Sequence, residues 1–169
     1  MKTRQMVFTA LFISLVFVST FIRIKFPLGA GGLVHLGTLT SFAIALKYGK
    51  RFGALSGGIG MALFDIFSEW VVWAPGTFVV RLLSGFSIGY LAKSKKGQGK
   101  NIVKNIIAFT AGSIIMVVGY YFYEAIFLTT FNAAFASIPG NLMQLVIAGF
   151  ALAIVHALPD LEEAQYLAK

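Results

Sequence analysis

Six apolar stretches joined by short polar or glycine-rich segments leave this chain few ways to fold. They run from about Gln5 to Ile24, Leu36 to Tyr48, Phe52 to Ser68, Gly76 to Ala92, Ile106 to Leu128 and Pro139 to Ala157. A helix needs roughly 20 apolar residues to cross the hydrocarbon of a bilayer. Stretches of this kind fill most of the 169 residues, and no room remains for a sizeable soluble domain. Hydrophobic residues make up 58% of the chain and charged residues only 12%, against about 25% charged in a soluble domain. So few polar side chains cannot cover a globule in water, and the mean hydropathy of +0.84 points the same way. We therefore expect an all-α, polytopic membrane protein with six transmembrane helices, forming a single integral membrane domain over residues 1–169. The first stretch is too long for a signal-peptide core, and no small-residue cleavage site follows it.

The net charge of +8 finds its explanation in where the basic residues fall. Lys2 and Arg4 precede the first stretch. Lys47, Lys50 and Arg51 cluster at the end of the second, and Lys93, Lys95, Lys96, Lys100 and Lys104 follow the fourth. Lys169 ends the chain. All of these share one face of a six-helix topology, whereas Arg23 and Lys25 stand on the other. Cytoplasmic loops carry the excess of Lys and Arg, which places both termini inside (N-in/C-in). The charge is then topology, not a nucleic-acid surface. The run Lys93–Lys100 reads as a solvated linker, and Glu69–Pro75 as a re-entrant or interfacial loop.

Small residues recur four apart: Ala10 and Ser14, Gly53 and Gly57, Gly85 and Gly89. This spacing lets helix backbones approach closely, where lipid supplies no hydrophobic drive for association. Polar groups at membrane depth are costly and therefore candidates for function. They are Asp65, Glu69, Arg81, Glu124, Asn141 and Gln144, with His35 and His156 beside them. Most fall toward the outer ends of four different stretches, near Trp70 and Trp73. A pocket built from them has aromatic walls for a flat heterocycle and amides for ring nitrogens and hydroxyls. Structural roles are open for the same residues. Arg81 with Asp65, Glu69 or Glu124 makes a helix-to-helix ion pair, the tryptophans an interfacial belt, and Asn141 a helix cap. His156 sits near the cytoplasmic end as a structural residue. His35 follows Gly29, Gly31 and Gly32 in an outer loop able to close over a ligand.

Enzymatic signals are weak. The chain has no phosphate-binding G-x-x-x-x-G-K-[ST] and no H-E-x-x-H. It has no cysteine for a thiolate nucleophile or a metal site. Ser56 and His156 form the one imaginable hydrolytic dyad, but no G-x-S-x-G surrounds the serine. No resident cofactor is expected. The rival classes are a self-contained proton-coupled carrier, an intramembrane enzyme and a structural membrane subunit.

Several motifs, in this order, carry a family resemblance. They are Lys2-Thr3-Arg4-Gln5, Gly32-Leu33-Val34-His35-Leu36-Gly37, Tyr48-Gly49 through Gly53-Ala54-Leu55-Ser56-Gly57-Gly58-Ile59-Gly60, and Ala62-Leu63-Phe64-Asp65. Ala74-Pro75-Gly76-Thr77-Phe78 with Arg81 follows, then Pro139-Gly140-Asn141-Leu142-Met143-Gln144. Together they resemble the substrate-binding S component of an energy-coupling factor (ECF) vitamin transporter, of the riboflavin, hydroxymethylpyrimidine and pyridoxine group. The resemblance implies a vitamin site near the outer face, formed by the last three helices with the first loop as lid. It implies partners: a transmembrane coupling subunit and two cytoplasmic ATPases, on whose cycle the S component topples to deliver its ligand. It also implies docking through the first helix, where Ala10 and Ser14 stand for the family's Ala-x-x-x-Ala. Thr38 stands where many relatives have Asp after the loop glycine, so no relative's ligand carries over intact. On the resemblance and the residues together we expect His35, Glu69, Trp70, Trp73, Arg81, Glu124, Asn141 and Gln144 to form the ligand site. The favoured ligands are hydroxymethylpyrimidine or pyridoxine, with riboflavin as the alternative.

Overall fold

The computed structural model describes residues 3–23, 34–95 and 97–159. The glycine-rich loop expected as a lid, residues 24–33, lies outside the described residues. The helices are α1 (Thr3–Thr20), α2 (Gly37–Tyr48), α3 (Lys50–Ile66), α4 (Ala74–Leu91), α5 (Ile102–Tyr123), α6 (Phe131–Ala134), α7 (Ile138–Ala148) and α8 (Phe150–Ala157). Among the described residues the chain is all-α, as the apolar stretches require, apart from one small hairpin and an isolated bridge between Arg23 and His35. Four helical stretches are long and apolar enough to cross a membrane: Thr3–Thr20, Val71–Leu91, Ile102–Leu128 and Phe131–Ala157. The other two expected spans, α2 and α3, are the inner pair. At 12 residues and 1.5 Å per residue, α2 covers only about 18 Å of a roughly 30 Å hydrocarbon core.

Burial is inverted relative to a soluble protein. Val7, Leu11, Val18, Val79, Leu83, Val103, Ile114 and Val146 are exposed. Thr38, Ser41, Ser56, Ser84, Asn105, Arg81 and Gln144 are buried. An apolar surface this continuous is stable only against lipid tails. The interior gathers groups that need one another.

The α3 helix occupies the centre, packed on α1, α2 and α4. Where it crosses α4 backbone meets backbone: a Cβ on Gly85 would sit 2.3 Å from the Gly53 carbonyl oxygen, and one on Gly53 would sit 2.9 Å from the Gly85 carbonyl oxygen. Backbones this close gain dispersion contacts that lipid tails cannot match. Just before α3, Gly49 takes φ 93°, which favours glycine and lets it stand as the single residue between α2 and α3. A second core joins α2, α4, α5 and α8 around Phe42, Leu46, Ile88, Met116 and Val155.

Two features depart from the expected outline, and a third gives the form of an expected loop. Lys93–Lys100 is not a solvated linker. Strand β1 (Lys93–Ser94) pairs antiparallel with β2 (Gly97–Gln98), and the buried Gln98 amide donates to the carbonyls of Leu46 at 3.1 Å and Gly89 at 3.0 Å. The hairpin thus satisfies helix-end carbonyls of α2 and α4 that would otherwise lack partners. Lys47, counted above among the basic residues of the cytoplasmic face, is buried and donates Nζ to the Leu158 carbonyl at 3.1 Å. Glu69–Pro75 is a short 3-10 turn, Val71–Trp73, that leads directly into α4.

Candidate functional site

The C-terminal ends of α1, α3 and α5 meet the N-terminal ends of α2, α4 and α7 at one end of the bundle. There they enclose a cavity of ≈ 560 Å³ between its walls, part of it open to solvent. Its lining is His35, Asp65, Trp70, Trp73, Thr77, Arg81, Tyr120, Ser137, Asn141 and Gln144. The structure thus brings together six of the eight expected residues: His35, Trp70, Trp73, Arg81, Asn141 and Gln144.

Glu69 and Glu124 are elsewhere. Glu69 is four residues from Asp65, but α3 ends at Ile66, so helical spacing no longer applies. Its carboxylate turns outward to accept from Arg23 at 2.7 Å and from the Trp70 indole at 3.2 Å. The Arg23 hydrogen bond holds the Glu69 carboxyl below the usual range. Glu124 opens a π turn, Glu124–Leu128, at the end of α5. It is buried there with Oε2 unpartnered and lies outside the cavity lining.

The two amides of α7 differ. Gln144 is engaged at both ends: Oε1 accepts from the His35 N–H at 2.9 Å and Nε2 donates to the His35 carbonyl at 2.6 Å. Asn141, one helical turn earlier, has no hydrogen-bond partner among the described residues and faces the cavity. It lies within α7 and caps nothing; the residue before that helix is Ser137.

His35 is pinned at a second place. It forms an antiparallel bridge with Arg23, and Leu36 N–H donates to the Ile22 carbonyl at 3.1 Å. Its Nδ1 accepts from Gly37 N–H at 3.1 Å. Burial, then the charges of Arg81 and Arg23, push the imidazole down to about 3. The neutral ring with Nδ1 accepting carries its proton on Nε2.

Arg81 is buried without a carboxylate within 4 Å among the described residues. Nε donates to the Tyr120 hydroxyl at 3.0 Å, one terminal nitrogen points at the Met116 sulfur at 2.9 Å, and the guanidinium lies 5.2 Å from the Tyr120 ring centre. Tyr120 donates to Thr77 at 3.2 Å, and Thr77 stands beside the Asp65 carboxyl. A row of hydroxyls thus separates the cation from the anion along one wall. Trp70 and Trp73 form the aromatic part of the lining, Trp73 with its ring centre 6.1 Å from that of Tyr120. Thr77, Tyr120 and Ser137 were missed in the sequence. Tyr120 stands among other aromatics in an apolar helix, and its distance of 39 residues from Arg81 gives no local signal. Thr38, at the position where many relatives carry Asp, is fully buried in α2 with its hydroxyl unpartnered.

Buried polar groups at one end of an apolar helical bundle, around a cavity with indole walls, mark a candidate binding site within an integral membrane protein. Residues 1–159 match the family described as ECF-type riboflavin transporter, S component, and the chain belongs to that family. No curated protein matches the chain. The protein is thus an integral membrane, substrate-binding component of a transporter, not an enzyme, and its family works with an ECF module.

Proposed function

We propose that this chain captures a small nitrogen heterocycle, hydroxymethylpyrimidine or pyridoxine, at the outer face of the membrane. A transmembrane coupling subunit and two cytoplasmic ATPases then drive its delivery inward. The carrying observation is the uncommitted Asn141 amide in a cavity walled by Trp70 and Trp73. A flat ring stacks on an indole while the amide reads its nitrogens or hydroxyls. The cavity lies at the end of the bundle away from Lys50, Arg51, Lys93 and Lys104, and the basic end belongs to the cytoplasm. Energy comes from the partner module, because the chain has no nucleotide-binding motif of its own. Docking uses Ala10 and Ser14, which are both exposed on α1.

A second ligand, riboflavin, is favoured by the family description. Isothermal titration of ligand-stripped, detergent-purified protein against hydroxymethylpyrimidine, pyridoxine, riboflavin and thiamine separates the two. Tight one-to-one binding of either small ring supports the favoured ligand, and binding of riboflavin alone replaces it. Folded protein that binds none of them overturns the capture of a vitamin of this group.

A further inference from the structure

The cavity wall holds two opposite charges that do not meet. Asp65 is 6% exposed, and its Oδ2 is buried with no hydrogen-bond partner. Arg81 is 3% exposed. Its hydrogen bonds use Nε and one terminal nitrogen, and the other terminal nitrogen has no partner among the described residues. Both residues line the same cavity. A direct ion pair would satisfy each of them, but Tyr120 and Thr77 stand between and hold them apart. Buried polar groups are nearly always satisfied, and an orphan on a cavity wall calls for a partner that the protein itself does not supply. Leaving such groups unpaired at membrane depth is costly.

We infer that Asp65 and Arg81 are a split reader of the ligand's donor–acceptor edge. Asp65 Oδ2 accepts a ring N–H or exocyclic amine, and the free terminal nitrogen of Arg81 donates to an oxo, phenolate or ring-nitrogen acceptor of the same ring. The ligand class is therefore a heteroaromatic ring that carries both functions, and a ring decorated only with hydroxymethyl groups is excluded. Asn141 and the tryptophans grip the ring; this pair decides which ring is taken. This rests on the capture of a ring vitamin proposed above.

The test pairs each ligand with a version that lacks the donor. Hydroxymethylpyrimidine is compared with its 4-desamino (4-H) analogue, riboflavin with its N3-methyl derivative, and pyridoxine with its N-methylpyridinium. Each is titrated calorimetrically into the wild type, Asp65→Asn and Arg81→Lys, with thermal unfolding of the ligand-free proteins as the folding control. For the ligand that the wild type binds, removing the donor costs about 10–100-fold in affinity, the range of a hydrogen bond to a charged group. Asp65→Asn costs a similar factor for the intact ligand but less than about twofold for the donor-blocked form. Equal losses for both forms make Asp65 a structural residue and overturn the inference, as does a donor-blocked ligand that binds the wild type as tightly as the intact one. If Asp65→Asn does not fold, the wild-type comparison and Arg81→Lys decide alone. A folded wild type that binds no ligand of the set overturns the capture of a ring vitamin, and this inference falls with it.

Discussion

The Gln144 side chain on α7 grips the backbone of His35, 109 residues earlier, through both its N–H and its carbonyl. The amide imitates a strand partner. It holds the start of α2 to α7 and fixes where the His35 ring sits at the cavity. Gln144 therefore spends one donor and one acceptor on the protein, whereas the Asn141 side chain spends none. Gln144→Ala leaves two buried backbone groups unpaired, at about 1–3 kcal/mol each. We expect a lower unfolding temperature in detergent together with weaker binding. Asn141→Ala is expected to weaken binding by about tenfold or more with the unfolding temperature unchanged. Identical behaviour of the two variants in calorimetry and thermal unfolding would contradict the division.

The neutral state of His35 has a consequence for pH. Its folded pKa lies near 3, lowered from 6.5. As the pH drops below 6.5, the unfolded chain takes up a proton that the folded chain refuses, so stability falls from there down toward pH 3. Thermal unfolding of wild type and His35→Gln between pH 7.5 and 4 measures this. The wild type should lose more of its unfolding temperature across that range than the variant, and parallel curves would remove His35 as the cause. Binding affinity should show no His35-linked step between pH 5 and 8.

The α3–α4 crossing has no room for a methyl group. Gly85→Ala places a carbon on the Gly53 backbone, so the helices must part or shift. Overpacking of this kind costs about 1–3 kcal/mol. The expected result is a lower unfolding temperature whether or not ligand is present. A Gly85→Ala protein as stable as wild type would show that the helices yield without cost.

Ala10 and Ser14 behave in the opposite way. Both are exposed on α1 among lipid-facing Met6, Val7, Leu11 and Leu15, and the Ser14 hydroxyl is spent on the Ala10 carbonyl at 3.0 Å. Ala10→Val with Ser14→Val should leave folding and ligand affinity alone. Co-purification with the transmembrane coupling subunit should fall by about tenfold, because bulk at a close helix contact costs 1–3 kcal/mol. Intact co-purification would move the docking surface to another helix.

How far the sequence was legible follows from what each feature depends on. The helices were visible because apolar length is a local property, and the boundaries near Tyr48, Ala92 and Ala157 stand within a residue of the helix ends. The cavity was half visible. His35, Arg81 and Asn141 are polar residues in apolar surroundings and attract attention wherever they sit. Glu69 misled because its four-residue spacing from Asp65 presumes a helix that has already ended. Tyr120 and Thr77 carry no such mark; only the packing of α4 on α5 turns them toward Arg81. Gln98 and Lys47 misled in the other direction, since a basic, glycine-bearing run has the composition of a solvated loop. The carbonyls that draw Gln98 inward belong to helices distant in the sequence.

The backbone contact between Gly53 and Gly85 has an electrical consequence. At that contact the two helix backbones touch with no side chain between them, so no file of water, and no wire for protons or ions, runs between the two helices there.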